Sequence, residues 1–184
     1  MQFGRTPLMF AVLGDYPECI EVLLKHGSDP DVTDKSGRTA LHWAAHHGNV
    51  QCLKAILSKK QMGWTEQDQG GVTILHLATR HPAKKCLQVI FKNFNIGPGE
   101  IDILDRNKRS PLHWAASQGF HEYAKLLLKN GAKVSLPDVE GKTPLHWASS
   151  SGGATTGGLG IAHVRAALKK MYQKLGFFSN VGFE

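Results

Sequence analysis

At 184 residues, with 41% hydrophobic and 20% charged side chains, the chain has the makeup of one or two globular domains. Its 20 glycines and 8 prolines stay far below the roughly 25–30% combined share of disordered chains, no apolar run nears the roughly 18 residues of a membrane span, and MQFGRTPLMF lacks the layout of a secretion signal. Three cysteines, without an N-x-S/T acceptor, fit a soluble cytoplasmic protein, and a net charge of +7 favours acidic partners without naming a function.

One phrase recurs along the chain: GRTPLMFAV at Gly4, GRTALHWAA at Gly37, GVTILHLAT at Gly71, KRSPLHWAA at Lys108 and GKTPLHWAS at Gly141. The steps are 33, 34, 37 and 33 residues, which is the period of stacked supersecondary units and far too long for a heptad. Asp34, Asp68, Asp105 and Asp138 each stand three residues before the Gly or Lys of their copy.

In the first copy Thr6 is placed to cap a helix, and Pro7 follows at the first helical position, where no backbone donor is lost. Thr39, Thr73, Ser110 and Thr143 repeat the cap, with Pro111 and Pro144 after the last two. The second copy predicts a helix to about His46, a turn at Gly48-Asn49, and a second helix with Val50, Leu53, Ile56 and Leu57 on one face. The connection KHGSDPDVTDKSG, rich in Gly, Asp and Pro, predicts an extended finger with a tight turn.

In the third copy Pro82 stands where the turn glycine belongs, and FKNFNIGPGEIDILD lengthens the finger by three or four residues. The fifth departs further, since GATTGGLG occupies the place of the second helix and predicts a Gly-rich loop at 152–160. The helix then resumes with Ile161, Val164, Leu168, Met171 and Leu175 on one face and Arg165, Lys169, Lys170 and Lys174 on the other. It reads as the delayed second helix of this copy; the alternative is a basic amphipathic helix for calmodulin, a membrane or another partner. The ending SNVGFE has the shape of a lead-in to a sixth copy, so the chain is expected to be a window of a longer array.

The pattern D-x-x-G-x-T-P-L-H-x-A-A at this period resembles the ankyrin repeat over nearly the whole chain. The resemblance implies an all-α ankyrin-repeat solenoid of stacked helix-turn-helix units with β-turn fingers. Its repeats would span about 1–33, 34–67, 68–104, 105–137 and 138–184. One such unit cannot bury a core alone, so the array should fold as a single body. The irregular stretches FGRTPLMFAVLGD, HLATRHPAKKCL and PGEIDILDRNKRSPLHWA further resemble one long ciliary member of that family. This implies a non-enzymatic scaffold assembling protein partners at the primary cilium. The family also uses the histidine of the phrase (His42, His76, His113, His146) to bond backbone between adjacent repeats.

Several constellations imitate chemistry. His42 and His46 lie one turn apart beside His47, but no Glu or Cys completes a metal set. Gly141-Lys142-Thr143 lacks the first glycine of a phosphate loop, because Leu136 holds its place. Cys19, Cys52 and Cys86 share one second-helix position and are expected to be buried and reduced. No nucleophile and base arrangement stands out, so no catalytic residue, cofactor or metal is expected. Trp43, Trp114 and Trp147 invite a comparison with methyl-lysine cages, an alternative function as reader of a modified or acidic peptide. Arg109 and Lys142 beside them would repel a methylated cation, and packing between repeats is the simpler role.

The remaining signal is basic. Arg5, Arg38, Arg109 and Lys142 share one finger position, with Val72 the exception, and stacking would align them along an edge. The row reads either as an ordinary solvated edge of the repeat or, joined by His46, His47, Arg80 and Gln118 on the concave surface, as the candidate surface for a protein partner, acidic or extended in character. Nucleic acid is not expected without aromatic interleaving or a recognition fold. Nor is membrane insertion, and the chain should be monomeric.

Overall fold

The computed structural model describes residues 3–59, 63–81, 85–97, 99–150 and 158–174. Among them every regular element is helical: α1 Pro7–Leu13, α2 Pro17–Lys25, α3 Ala40–His47, α4 Val50–Leu57, α5 Ile74–Ala78, α6 Lys85–Asn93, α7 Pro111–Gln118, α8 His121–Lys129, α9 Pro144–Ser150 and α10 Gly158–Lys174, with one 3₁₀ turn at Glu100–Asp102. The odd-numbered helices pack in sequence as an inner row, while the even-numbered ones lie outside, α2 on α4, α4 on α6 and α8 on α10. The expected all-α ankyrin solenoid is what the chain forms.

Local chemistry starts each inner helix. Thr6, Thr39, Thr73 and Ser110 are the N-caps, and Pro7 and Pro111 open α1 and α7. At the last three of these caps a histidine takes the place that Glu or Gln holds in the usual capping box. The Thr39 backbone N–H donates to His42 Nδ1 at 3.3 Å, that of Thr73 to His76 at 3.2 Å and that of Ser110 to His113 at 3.1 Å. With Nδ1 accepting, the proton sits on Nε2, which donates outward: His42 to Glu66 O, His76 to Arg109 O and His113 to Lys142 O, at 3.1, 2.9 and 3.1 Å. One ring therefore caps its own helix and ties it to the next finger, in the inter-unit role that the resemblance implied.

The fingers are organised by aspartates. Asp34, Asp68, Asp105 and Asp138 are buried, and Oδ1 of each accepts the N–H two and four residues ahead. Neighbouring fingers then share backbone bonds: Lys35 N–H to Phe3 O, Gln69 to Ser36, Arg106 to Gly70 and Val139 to Asn107. This close approach explains the turn glycines, since a Cβ at Gly71 (φ +74°) would lie 2.9 Å from Arg106 N. Lys108 holds the same left-handed conformation at φ 56° without being glycine.

Behind the fingers, one continuous core runs from Leu8 and Val12 through Leu53, Ile56, Leu75 and Leu87 to Leu112, Leu127, Leu145, Val164 and Leu168.

The third unit's insertion has a structural use. Its 3₁₀ turn buries Ile101 and Asp102, and the Asp102 carboxylate accepts the Lys133 N–H at 3.1 and 3.3 Å, pinning the longer finger to the next one. Burial raises the pKa of Asp102, with the Lys133 N–H opposing the shift. Pro82 and Pro98 lie outside the described residues.

Two expectations are corrected. Helix α10 begins at Gly158, not after Gly160, so the expected loop at 152–160 is shorter at its C-terminal end. The N–H groups of a first turn have no partner inside the helix, which makes glycine cheaper there than in mid-helix. Residues 151–157 are outside the described set. The apolar side of α10 lies against the array: Val164 and Leu168 are fully buried, and Tyr172 donates to Val134 O at 2.6 Å. The side chains of Ile161 and Leu175, and the segment Gly176–Glu184, are outside the described residues.

The second correction concerns cysteine. Cys52 and Cys86 are buried, but Cys19 is exposed, because α2 has no earlier helix pair against it among the described residues. Burial, followed by the hydrogen bond to Asp15, pushes the Cys52 thiol up to about 12, and burial pushes Cys86 up to about 11.

Candidate functional site

The finger aspartates also decide where the concave side chains point. Their second oxygen, Oδ2, accepts the indole N–H of the tryptophan nine residues on: Asp34 from Trp43, Asp105 from Trp114 and Asp138 from Trp147, at 3.0, 3.1 and 2.8 Å. Each indole is thus fixed half-buried beside its finger, with a ring face left for the basic residues.

The third unit has Leu77 in place of tryptophan, which leaves Asp68 Oδ2 without an indole. Arg38 of the preceding finger fills the vacancy, its Nε donating to Asp68 Oδ2 at 2.9 Å. Burial would raise the Asp68 pKa, yet this guanidinium and the finger N–H groups hold it below the usual carboxylate value. Replacing Arg38 with Ala is expected to cost about 1–2 kcal/mol, the lower part of the range for a hydrogen bond to a charged group, since the arginine is partly exposed. Denaturant melts of Arg38→Ala, Asp68→Asn and the double variant check this, and strict additivity would show that the pair does not interact.

The basic row is therefore aligned in sequence while its side chains have separate partners. Arg5 lies 4.4 Å from the Trp43 ring centroid and 5.4 Å from that of Phe3, and Arg38 lies 5.4 Å from Trp43 while pairing with Asp68. Arg109 donates through Nε to Asp105 Oδ2 at 2.8 Å. Lys142 meets Glu140 at 2.5 Å on an exposed finger, and this contact raises its pKa.

On the concave side the predicted residues gather in two groups. Around Trp43 stand Arg5, Arg38, His46 and His47: His47 stacks on the indole at 5.7 Å and 17°, and His46 meets it edge-on at 5.9 Å. Burial, reinforced by His47, Arg38, Arg80 and His81, lowers His46 to about 4, and its buried Nδ1 has no hydrogen-bond partner among the described residues. His47 is lowered too, by burial and then by His81 and Arg5. The rings at this end stay neutral at pH 7.

The second group surrounds a cavity of about 330 Å³ lined by Arg80, Arg109, His113, Trp114, Ser117, Gln118 and Trp147. It unites three predicted residues, Arg80, Arg109 and Gln118, while the Lys142 side chain is not part of the lining. Trp114 and Trp147, weighed from the sequence as cage walls and set aside as packing between repeats, also line this cavity. The repeated Trp and Asp at a spacing of nine was the available signal, because a fixed indole offers a ring face. His113 forms the floor, neutral because burial lowers its pKa and both nitrogens are engaged.

Among the described residues no group of three or more His, Cys, Asp or Glu could hold a metal ion, and no helix is long and apolar enough to cross a membrane.

Comparison with known proteins places this geometry. The family profile for ankyrin repeats, three copies, matches residues 8–98 and 89–157. Inversin of Mus musculus is 48% identical over 140 residues, and inversin of Danio rerio 56%, each alignment covering 76% of this chain but 13% of the relative. The B-cell lymphoma 3 protein homolog of Mus musculus is 30% identical over 132 residues, covering 71% of this chain and 29% of that protein. The chain thus spans a small part of the length of these relatives. With stacked helix pairs, capping histidines and aspartate fingers in place, and the family profile matching most of its length, the chain belongs to the ankyrin repeat family.

Proposed function

We propose that this segment is a non-enzymatic scaffold, inversin-like, which assembles protein partners at the primary cilium through its concave helices and finger edge. The supporting observation is the concave surface itself: half-buried indoles locked by buried aspartates, with Arg80, Arg109 and Gln118 around a cavity open to a partner. Tryptophan and arginine are the residue types that most often anchor interfaces. His46 and His47 extend the surface towards the first unit, and Lys142 adds a rim charge, which acts mainly on encounter rate. The similarity to inversin supports the ciliary setting.

A methyl-lysine reader is less well supported. The Trp43 ring already carries the Arg5 guanidinium at 4.4 Å, and Arg109 lies 5.5 and 5.8 Å from Trp114 and Trp147. The test is proximity labelling in ciliated cells with this segment and with a His47→Glu/Gln118→Glu variant, both positions being exposed. Ciliary proteins should be enriched by the wild type and depleted at least several-fold with the variant. Labelling no different from that of an unrelated ankyrin array overturns the proposal.

A further inference from the structure

The cavity between the last three inner helices is unlike the other junctions. At the repeat position three residues after the tryptophan stand His46, Ser117 and Ser150, whereas the third unit has Arg80. Because that unit has Leu77 instead of tryptophan, Arg80 lies over the next unit's ring, its guanidinium carbon 5.8 Å from the Trp114 centroid. It is exposed and makes no ion pair among the described residues. Arg109 stands between the two indoles, and its contact with Asp105 uses Nε alone, leaving both Nη groups.

No lining residue is acidic. The nearby Asp105 is already saturated: Oδ1 accepts the N–H of Asn107 and Arg109, and Oδ2 accepts Arg109 Nε and Trp114 Nε1. Ser117 spends its hydroxyl proton on Trp114 O, and His113 donates to Lys142 O. The Arg80 guanidinium, which has no carboxylate paired with it among the described residues, and the Nη edge of Arg109, whose Nε is paired with Asp105, thus face a cavity with no acidic lining residue, flanked by indole faces suited to an aliphatic stem. A volume of about 330 Å³ amounts to roughly ten waters at ~30 Å³ each, enough for one long side chain with some hydration and too little for a helix. At Trp43 the corresponding ring face is closed by Arg5.

We propose that this cavity receives the anionic side chain of an extended peptide, a glutamate carboxylate or a serine-borne phosphate, held by Arg80 and Arg109 with its stem against Trp114 and Trp147. The inference rests on the reading of the array as a protein-binding scaffold and names what its partner presents. Arginine's planar fork suits bidentate contact with either anion.

Indole N–H resonances of the ¹⁵N-labelled chain read the site directly. The probes are the blocked tripeptides acetyl-Gly-Glu-Gly-amide, acetyl-Gly-phosphoSer-Gly-amide and acetyl-Gly-Gln-Gly-amide. Saturable shifts at Trp114 and Trp147, larger than any at Trp43, are expected with an anionic peptide, together with at least tenfold weaker binding by Arg80→Gln. Saturation by the phosphoserine peptide alone assigns a phosphate, and saturation by the glutamate peptide assigns a carboxylate. Equal shifts with the glutamine peptide, no saturation with either anion, or unchanged affinity in Arg80→Gln overturns the site. Such failures leave the proximity-labelling result standing, whereas absence of partner labelling with saturable peptide binding overturns the scaffold reading alone.

Discussion

Replacing Asp105 with Ala should be the most damaging single change in the fingers, with an expected loss of about 3–5 kcal/mol, the range found when one member of a buried charged network is removed. Its side chain is 1% exposed and receives four donors, two from its own finger backbone, one from Arg109 and one from Trp114. Alanine would strand all four, and only the partly exposed Arg109 could turn to water. Asp105→Asn is the informative companion, because an amide oxygen can still accept the two backbone N–H groups while the charge is lost. Its cost should fall between wild type and Ala. Urea denaturation followed by Trp fluorescence measures both, and an Ala variant within 1 kcal/mol of wild type would show that the finger does not depend on this carboxylate.

The second large effect is expected from acid. His42, His76 and His113 are buried as neutral rings, and burial lowers the pKa of each, to about 4 for His76. In the unfolded chain these groups titrate near 6.5. Below that pH the unfolded state binds more protons than the folded one, so stability rises with pH. The contribution is fully present above about pH 6.5 and is lost as pH falls towards the folded values. For His76 alone the gap corresponds to roughly 3 kcal/mol at about 1.36 kcal/mol per unit. The lowered Asp68 pKa adds loss only at more acidic pH, below its unfolded value near 4, so the decline between pH 6.5 and 4.5 belongs to the histidines. Thermal melts across that interval check the prediction. A flat midpoint would mean that the rings are protonated in the fold, against the tautomer that caps the helices.

Much of the architecture was legible because it is written in short-range chemistry. Thr39 or Ser110 at a cap, Pro111 behind it and Gly48 at a helix end act within a few residues, and each acts as read. Less legible was anything set by a partner one unit away. Nothing local to Arg38 says that it pairs with Asp68, although the missing tryptophan at Leu77 was a visible clue that this carboxylate needed a donor. The start of α10 was misplaced for a similar reason, since Gly158 and Gly160 disfavour a helix on their own and packing of Val164 and Leu168 decides otherwise. For the candidate site, a shared repeat position showed which side chains recur along the finger edge but not their directions. Arg109 turns towards its own finger, Arg38 towards the next, and Arg80, outside the row, leans over Trp114.

The pairing of Arg38 with Asp68 has a consequence for how such an array can change its length. A unit that supplies its own indole to its own carboxylate is self-sufficient, and a copy of it could be inserted or removed without leaving a buried charge exposed to nothing. The third unit is a dependant: it carries Leu77, borrows its donor from the unit before it, and returns Arg80 to the unit after it. Deleting the second unit would set Asp68 behind Arg5, an arginine of the same finger position, whereas duplicating the third would place a carboxylate behind Val72, which has no cation to lend. Recombination would therefore be tolerated where an arginine finger still precedes the third unit, and selected against where Val72 would precede a second copy of Asp68.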